Sequence, residues 1–553
     1  LKLRVFSLLS TGTLVAAFLV AGSVTAGASA KSARPSENYS SYRGCASSAH
    51  LCTEVQDPLA VFGHYVGHDE PSVLFYSHTP GSGNHMQYNV TLPTEPAGPF
   101  SDTKGYSLET SPAFWFGMAM CASESYPESS STCTPDSDSN IVNPFDTKHA
   151  PGVAFMELQF YPPGFASQFA SSSCDATKWC VAMTIDSLAQ NPFTGQVLNP
   201  TCTAEIGGSI EYVNFAYLTL SGKPIGPPNP LQFQFIGSGD PHSSPDTFFM
   251  NQGDKISVSL SDTADGLQAI VHDNSNPDPA TNTGTMTASA ANGFGQIRFQ
   301  PAGHSCIEDP YTFHPMYSTS TPQTRVLWAA HDYNVAMDVE TGHFDFCSSI
   351  DPNTASCNGS EGIPGNQEAA DGDDFACFSD TQNTNTSYVP PAGQDTGYCQ
   401  GSNDLGFDGT SYNHYWPNGT TNDATAFLFS SPKTGAGFTT VYPQVAFEAD
   451  LPAIESNVIG GPCDNVTGAG CTNPPATDDG APVNFYPYFS TVNNGGACNW
   501  GGGSTLPNTI DNFGGSSAEF GSLIAEPYWV TGGHGAAQNF IENYNSGPFS
   551  NPC

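Results

Sequence analysis

Short runs of Val, Ile, Phe, Tyr and Thr recur along the chain, alternating with small polar residues and punctuated by Gly, Pro and Asn. Apolar positions at the 3.6-residue spacing of a helix are nearly absent. A period of two places alternate side chains on opposite faces of a strand, so the pattern predicts an all-β protein. The clearest instance is GDKISVSLSDTADGLQAIVHD. Ile256, Val258 and Leu260 alternate with Ser and Lys, TADG supplies a turn, and Leu267, Ala269 and Val271 resume the alternation, which predicts a β-hairpin. WCVAMTIDSL, IEYVNFAYLTL, LQFQFIG, GQIRFQP and TRVLWAAHDYNVAMDV read as further strands. Together they predict antiparallel sheets packed as a concanavalin-like sandwich or jelly roll with disulfide-stapled loops.

One strand departs from this pattern. In VAFMELQFYPPGF (153–165), Ala154, Met156, Leu158 and Phe160 share a face suited to a core. Phe155, Glu157, Gln159 and Tyr161 share the other. A carboxylate and an amide between two aromatic rings make either a reactive surface or the wet side of a sheet.

The pattern also divides the chain. Residues 1–30 carry Lys2 and Arg4, an apolar stretch from about Val5 to Val24 and a closing Ala28-Ser29-Ala30, the order of a secretory leader with an A-x-A cleavage site. No second long apolar run follows, so no membrane span is expected. Residues 31–350 hold most strand-like runs, as one or two sandwiches. Residues 351–425 form a loop-rich excursion dense in Cys and Asp. Residues 426–553 return to strand patterning and end rich in Gly and Asn.

Composition supports export. The chain has 16 cysteines, an even number that suits an oxidising compartment. The close spacings Cys45/Cys52, Cys121/Cys133, Cys174/Cys180 and Cys463/Cys471 suggest local loop-closing bridges, and none is a C-x-x-C pair. The net charge of −39 arises from 52 acidic against only 13 basic residues. A phosphate-reading surface needs clustered Lys and Arg, so nucleic acid is excluded as a partner. Protonation of carboxylates in acid would relieve the self-repulsion, which points to acid tolerance. A monomer is expected.

Three groups of residues carry candidate chemistry. Glycosidic hydrolysis normally needs two carboxyl groups. Glu157 is the first, and Asp186, Glu205 and Glu211, in the next strand-like stretches, are candidates for the second; the flanking Phe155 and Tyr161 suit stacking on sugar rings. His331 and Tyr333 are further candidate substrate contacts. Histidines near carboxylates, as in His64, His68, Asp69 and Glu70 or His331, Asp332, His343 and Asp345, are of the type that binds first-row metals, but no H-E-x-x-H occurs. Asp371, Asp373, Asp374, Asp404 and Asp408, in AADGDDFACF and NDLGFDGTSY, are candidate oxygen ligands for a structural Ca²⁺, with solvated turn aspartates as the alternative. No cofactor is expected for catalysis itself. The absence of a G-x-S-x-G elbow argues against an α/β-hydrolase esterase.

FMELQFYPP resembles the strand of glutamic peptidases in which a catalytic Glu lies between aromatics and is followed by Tyr-Pro, and the 253–273 hairpin resembles a hairpin of the same family. The resemblance covers about forty residues. It implies a β-sandwich in which Glu157 activates water and a Gln stabilises the oxyanion, chemistry suited to acid. That family carries its Gln on a different strand from its Glu, so Gln159 departs from the pattern. GHDEPSVLFYSHTPGSGN, CDATKWCVAMTIDSL and TMTASAANGFGQIRF resemble segments of large secreted β proteins, mainly actinobacterial, a likeness that implies export and no activity.

The expectation is therefore a secreted hydrolase acting on an extracellular polymer. The first form is a glycoside hydrolase on polysaccharide using a cleft carboxylate pair. The alternatives are an acid-acting glutamic-type peptidase on protein, or a non-catalytic glycan-binding or cell-surface protein.

Overall fold

The computed structural model describes residues 71–77, 82–97, 107, 113–122, 152–163, 175, 177–188, 199–206, 211–232, 244–298, 303–315, 318–321, 324–325, 328–331, 344–347, 349, 360–361, 368–369, 395–398, 424–454, 489–502, 509–512, 524–529, 537–542 and 549–553. Secondary structure in these stretches is almost entirely antiparallel β, as the alternation predicts.

Nine strands position the site: β1 (Pro71–Tyr76), β2 (His85–Thr91), β3 (Phe114–Ala122), β4 (Gly152–Tyr161), β5 (Cys180–Leu188), β6 (Glu211–Tyr217), β7 (Lys255–Thr263), β8 (Gly266–Asp273) and β9 (Thr283–Ala288). An 11-stranded sheet runs from strand Ile524–Trp529 through Ala537–Glu542 and Gln444–Ile454 to β1. It continues through Trp328–His331 to β3, β4, β5 and β6. A 10-stranded sheet runs from Thr509–Asn512 through Phe489–Asn494, Ala497–Gly502 and Leu428–Phe429 to β2, β7, β8 and β9. Strands from beyond residue 424 thus pair with strands from before residue 331 in both sheets.

The expected hairpin is present. β7 and β8 pair from Ile256↔Asp273 to Thr263↔Gly266, leaving Ala264 and Asp265 as a two-residue loop. Ile256, Val258, Leu260, Leu267, Ala269 and Val271 are all buried, and the intervening serines are half-buried. On the larger sheet Met156, Leu158 and Phe160 of β4 are buried with Phe114, Phe116 and Met118 of β3 and with Val181, Met183 and Ile185 of β5. These residues and the apolar face of the β2–β7–β8 sheet belong to one hydrophobic cluster. Rings from the two sheets meet within it: Tyr88 lies 4.4 Å from Phe116, and Phe429 lies 5.5 Å from Phe116 and 6.3 Å from Phe75, the latter two pairs edge to face. Fully burying each such side chain is worth roughly 1.5–3 kcal/mol, so this cluster fixes which face of β4 points inward.

Two sequence expectations need correction. Glu205 does not lie on a strand: Asn199 caps a short helix, α1 (Pro200–Glu205), by accepting from the backbone N–H groups of Thr201 and Cys202, and Pro200 opens its first turn. Leu231 and Gln232, the start of LQFQFIG, lie in a turn, where Asn229 Oδ1 accepts from the N–H of Leu231. Disulfides join Cys202 to Cys306 and Cys498 to Cys553, four cysteines that the spacing left unassigned. Among the described residues no helix is long and apolar enough to cross a membrane.

Candidate functional site

With Met156, Leu158 and Phe160 committed to the core, the pleat turns Glu157, Gln159 and Tyr161 to the opposite face of the larger sheet. The middle of that face is screened from solvent, while Asp186 and Val213 beside it are partly exposed. Glu157 is 1% exposed, Gln159 6% and Tyr161 5%. Burying a carboxylate costs heavily unless hydrogen bonds replace its water, and the sequence supplies them from neighbouring positions. Gln159 Nε2 donates to Glu157 Oε2 at 2.6 Å. Tyr161 Oη donates to Gln159 Oε1 at 2.6 Å, and Thr184 Oγ1 donates to the same oxygen at 2.8 Å.

Register explains this convergence. β5 pairs with β4 so that Thr184 stands opposite Glu157, Ala182 opposite Gln159 and Cys180 opposite Tyr161. On the far side of β5, β6 places Phe215 opposite Thr184 and Tyr217 opposite Ala182. The rings of Tyr161, Phe215 and Tyr217 meet edge to face, with centroids 6.3 Å (161–215), 6.0 Å (161–217) and 4.9 Å (215–217) apart. Val213 and Phe249, both partly exposed, pack against this cluster. Burial pushes the Tyr161 phenol well above its usual range, and Tyr217, Glu157 and Asp186 push it further. Tyr161 therefore remains a protonated donor.

The amide of Gln159 is thus fixed. Its oxygen accepts two hydroxyl protons and its nitrogen donates to Glu157, so the amide is held with a donor beside a carboxylate. A base and an oxyanion donor held side by side in a site of low polarity is an arrangement suited to hydrolysis of a carbonyl bond.

The other candidate residues fall in different places. Asp186 lies on β5 opposite Phe155 and Val213 and is partly exposed, one same-face step along β5 from Thr184. Glu211 opens β6 opposite Leu188, four residues from Phe215, which is about 13 Å along an extended strand. Glu205 is exposed at the end of α1, its Oε2 accepting from the N–H of Cys306 at 2.8 Å. Hydrogen bonds from Ser305 and Cys306 hold its carboxyl below the usual range, and Glu205 sits at the Cys202–Cys306 junction on α1 and not on a strand beside β4. His331 is registered with Trp115 of β3, itself opposite Gln159. The side chains of Phe155, Glu211 and His331 lie outside the described residues. So do Tyr333, His64, His68, Asp69, Glu70, Asp332 and His343, together with the candidate calcium ligands Asp371, Asp373, Asp374, Asp404 and Asp408.

Thr184, Phe215 and Tyr217 were not singled out from the sequence. The signal for Thr184 was nevertheless of the same kind as for Glu157, a polar residue inside an apolar run, WCVAMTIDSL. Comparison of the chain with protein-family models, with curated proteins and with solved structures finds no match, so the site is read from its own residues.

Proposed function

We propose that this is a secreted, acid-acting hydrolase of the glutamic-peptidase type, with Glu157 and Gln159 as its reacting pair. The observation that carries the reading is the 2.6 Å bond from Gln159 Nε2 to Glu157 Oε2, with the amide oriented by Tyr161 and Thr184. In this reading Glu157 takes a proton from water, whose oxygen bonds to the peptide carbonyl carbon. The carbonyl oxygen gains the electron pair and is held by the second N–H of Gln159. Collapse restores the C=O bond and breaks C–N, and the leaving nitrogen receives the proton from Glu157. The two groups stand two residues apart on one strand, so the likeness to glutamic peptidases is one of chemistry and not of strand placement. The two large sheets, sharing one core, are taken as a concanavalin-like sandwich. The leader-like sequence and the long-range disulfides support export.

A second reading is a glycoside hydrolase using Glu157 and Asp186. It is favoured by their placement as diagonal neighbours on β4 and β5. Diagonal positions lie about 7–8 Å apart, within the roughly 6.5–9.5 Å of an inverting carboxyl pair.

The test is release of peptides from acid-denatured protein, and of sugar from a polysaccharide panel, at about pH 3 to 7. Wild type is compared with Glu157→Gln, whose amide oxygen can still accept from Gln159 and so should preserve the fold. Peptide release lost in the variant establishes the peptidase. Sugar release lost in both Glu157→Gln and Asp186→Asn establishes the glycosidase. Equal cleavage by wild type and Glu157→Gln removes Glu157 from the chemistry.

A further inference from the structure

The outer face of the smaller sheet differs in charge from the chain as a whole. On β2, β7, β8 and β9 the alternation that buries Tyr88, Val258, Ala269 and Met286 turns the intervening residues outward, where they are partly or fully exposed. One row across this face reads Lys433, Gln87, Ser259, Ile270 and Thr285, and Lys255 lies toward one end. Among the described residues, no outward position on these strands is a carboxylate, in a chain with 52 acidic against 13 basic residues. Asp262 and Asp273 fall on the inward side of β7 and β8, and Asp265 and Asp278 lie in loops at the strand ends.

Cross-strand hydrogen bonds fix the polar groups of the face. His85 Nδ1 is bonded to Ser261 Oγ at 2.9 Å, Gln87 Nε2 donates to Ser259 Oγ at 3.1 Å, and Ser257 Oγ donates to Asn89 Oδ1 at 2.8 Å. At the margin the ring of Phe438 stacks on His85, with centroids 4.0 Å apart. Phe438 has φ +52°, a conformation costly for a bulky residue. The ring is partly exposed, so the core does not account for that cost.

We propose that this face binds an anionic polysaccharide, one that carries carboxylates on its sugar rings. Charge complementarity selects the partner: two exposed ammonium groups and no outward carboxylate favour a polyanion here, while the net charge of −39 repels it elsewhere. Hydroxyl, amide and imidazole groups match the hydroxyls of a sugar chain, and each serine that accepts a bond still has its own proton to donate. Because neighbours already hold these groups, little ordering is left to be done on binding. Phe438 supplies an aromatic face for stacking on a sugar ring. Strands spaced about 4.8 Å apart make the row from Lys433 to Thr285 roughly 19 Å long, room for several sugar units. The surface lies on the sheet that does not carry Glu157, so the inference is independent of the hydrolase reading.

The experiment measures calorimetric binding of the purified full chain to polygalacturonate and to the same polymer with its carboxylates methyl-esterified. Wild type at low ionic strength should bind the charged form about tenfold more tightly, and added salt should narrow that difference. The double variant Lys255→Gln/Lys433→Gln, at two exposed positions, should remove most of it. Phe438→Gly, which suits the positive φ and so should not lower the urea midpoint, should weaken binding of both forms. Equal affinity for the two polymers, no binding of either, or affinities unmoved in both variants overturns the inference. Sedimentation of the protein alone as a dimer that the lysine variant dissociates also overturns it, because a second copy would then occupy the face.

Discussion

Gln159 presents its nitrogen, not its oxygen, to Glu157, at 2.6 Å. The reverse orientation would set a carbonyl oxygen against a buried carboxylate, and the two hydroxyl donors on the far side disfavour it further. In the proposed mechanism neither Tyr161 nor Thr184 needs to touch substrate, because each would act through Gln159.

Tyr161→Phe and Thr184→Val should each lower kcat about tenfold with little change in KM, and cost about 1 kcal/mol of stability for the lost hydrogen bond. Thr184→Ser, which restores the hydroxyl, should recover most of the rate. Steady-state kinetics across the three variants checks this. A loss confined to KM would show that the amide clamp does not serve the chemical step.

Stability should fall as pH rises from about 4 to 7. Burial raises the Glu95 carboxyl from 4.5 to about 7 despite opposing hydrogen bonds from Ser107, and raises Asp273 to about 6, with Asp254 beside it adding to the shift. Both pKa values are higher in the folded protein than in the unfolded chain. Their stabilising effect is therefore complete below about pH 4 and is lost as pH climbs through the folded values. At about 1.4 kcal/mol per pH unit, Glu95 alone should account for a loss of about 2–3 kcal/mol, and Asp273, with its smaller shift, for less. Urea unfolding at pH 4.5 and 7.5 measures the drop, and Glu95→Gln should flatten it. A protein more stable at pH 7.5 would contradict the assignment.

Removing the Cys202–Cys306 bridge should be expensive. The two residues are 104 apart in sequence, and closing a loop of that length is worth up to about 4–5 kcal/mol in the chain-entropy account. The double variant Cys202→Ser/Cys306→Ser should show a lower urea midpoint than wild type, and Glu205→Gln, which weakens only the hydrogen bonds from Ser305 and Cys306, a much smaller change.

Gly266 begins β8 with φ +131°, and a Cβ there would lie 1.9 Å from the carbonyl oxygen of Ala288 on β9. Neither the dihedral nor the contact can be relieved by side-chain rotation. Gly266→Ala should cost at least about 2 kcal/mol, read as a shift in the urea midpoint. An unchanged midpoint would mean that the turn can be rebuilt.

The legible parts of the fold are those that depend on period two. The alternation in 255–273 sufficed to place both strands, their inward faces and a turn between them, and the alternation in 153–161 separated Met156, Leu158 and Phe160 from Glu157, Gln159 and Tyr161. Partners across the sheet were not legible, because register between β4, β5 and β6 is set by segments whose length carries no periodic signal. Thr184, Phe215 and Tyr217 could therefore be read as strand residues without being read as neighbours of Glu157. Glu205 was misplaced for a local reason: Asn199-Pro200 starts a helix too short to show a 3.6-residue pattern.

The neighbours of β1 carry a consequence for how the chain acquires its shape. Ser72 is registered with His331 on one side and with Glu448 on the other. An early-synthesised strand thus waits for two partners that emerge far later, and contacts so distant in sequence make for slow folding. Until they arrive, both edges of β1 stay open to pairing with the wrong chain. The larger sheet therefore cannot close until the strands beyond residue 444 are present. The same topology implies that assembly begins elsewhere, with the β7–β8–β9 meander, whose β7–β8 and β8–β9 pairings are both local, as the natural nucleus onto which the distant β2 adds.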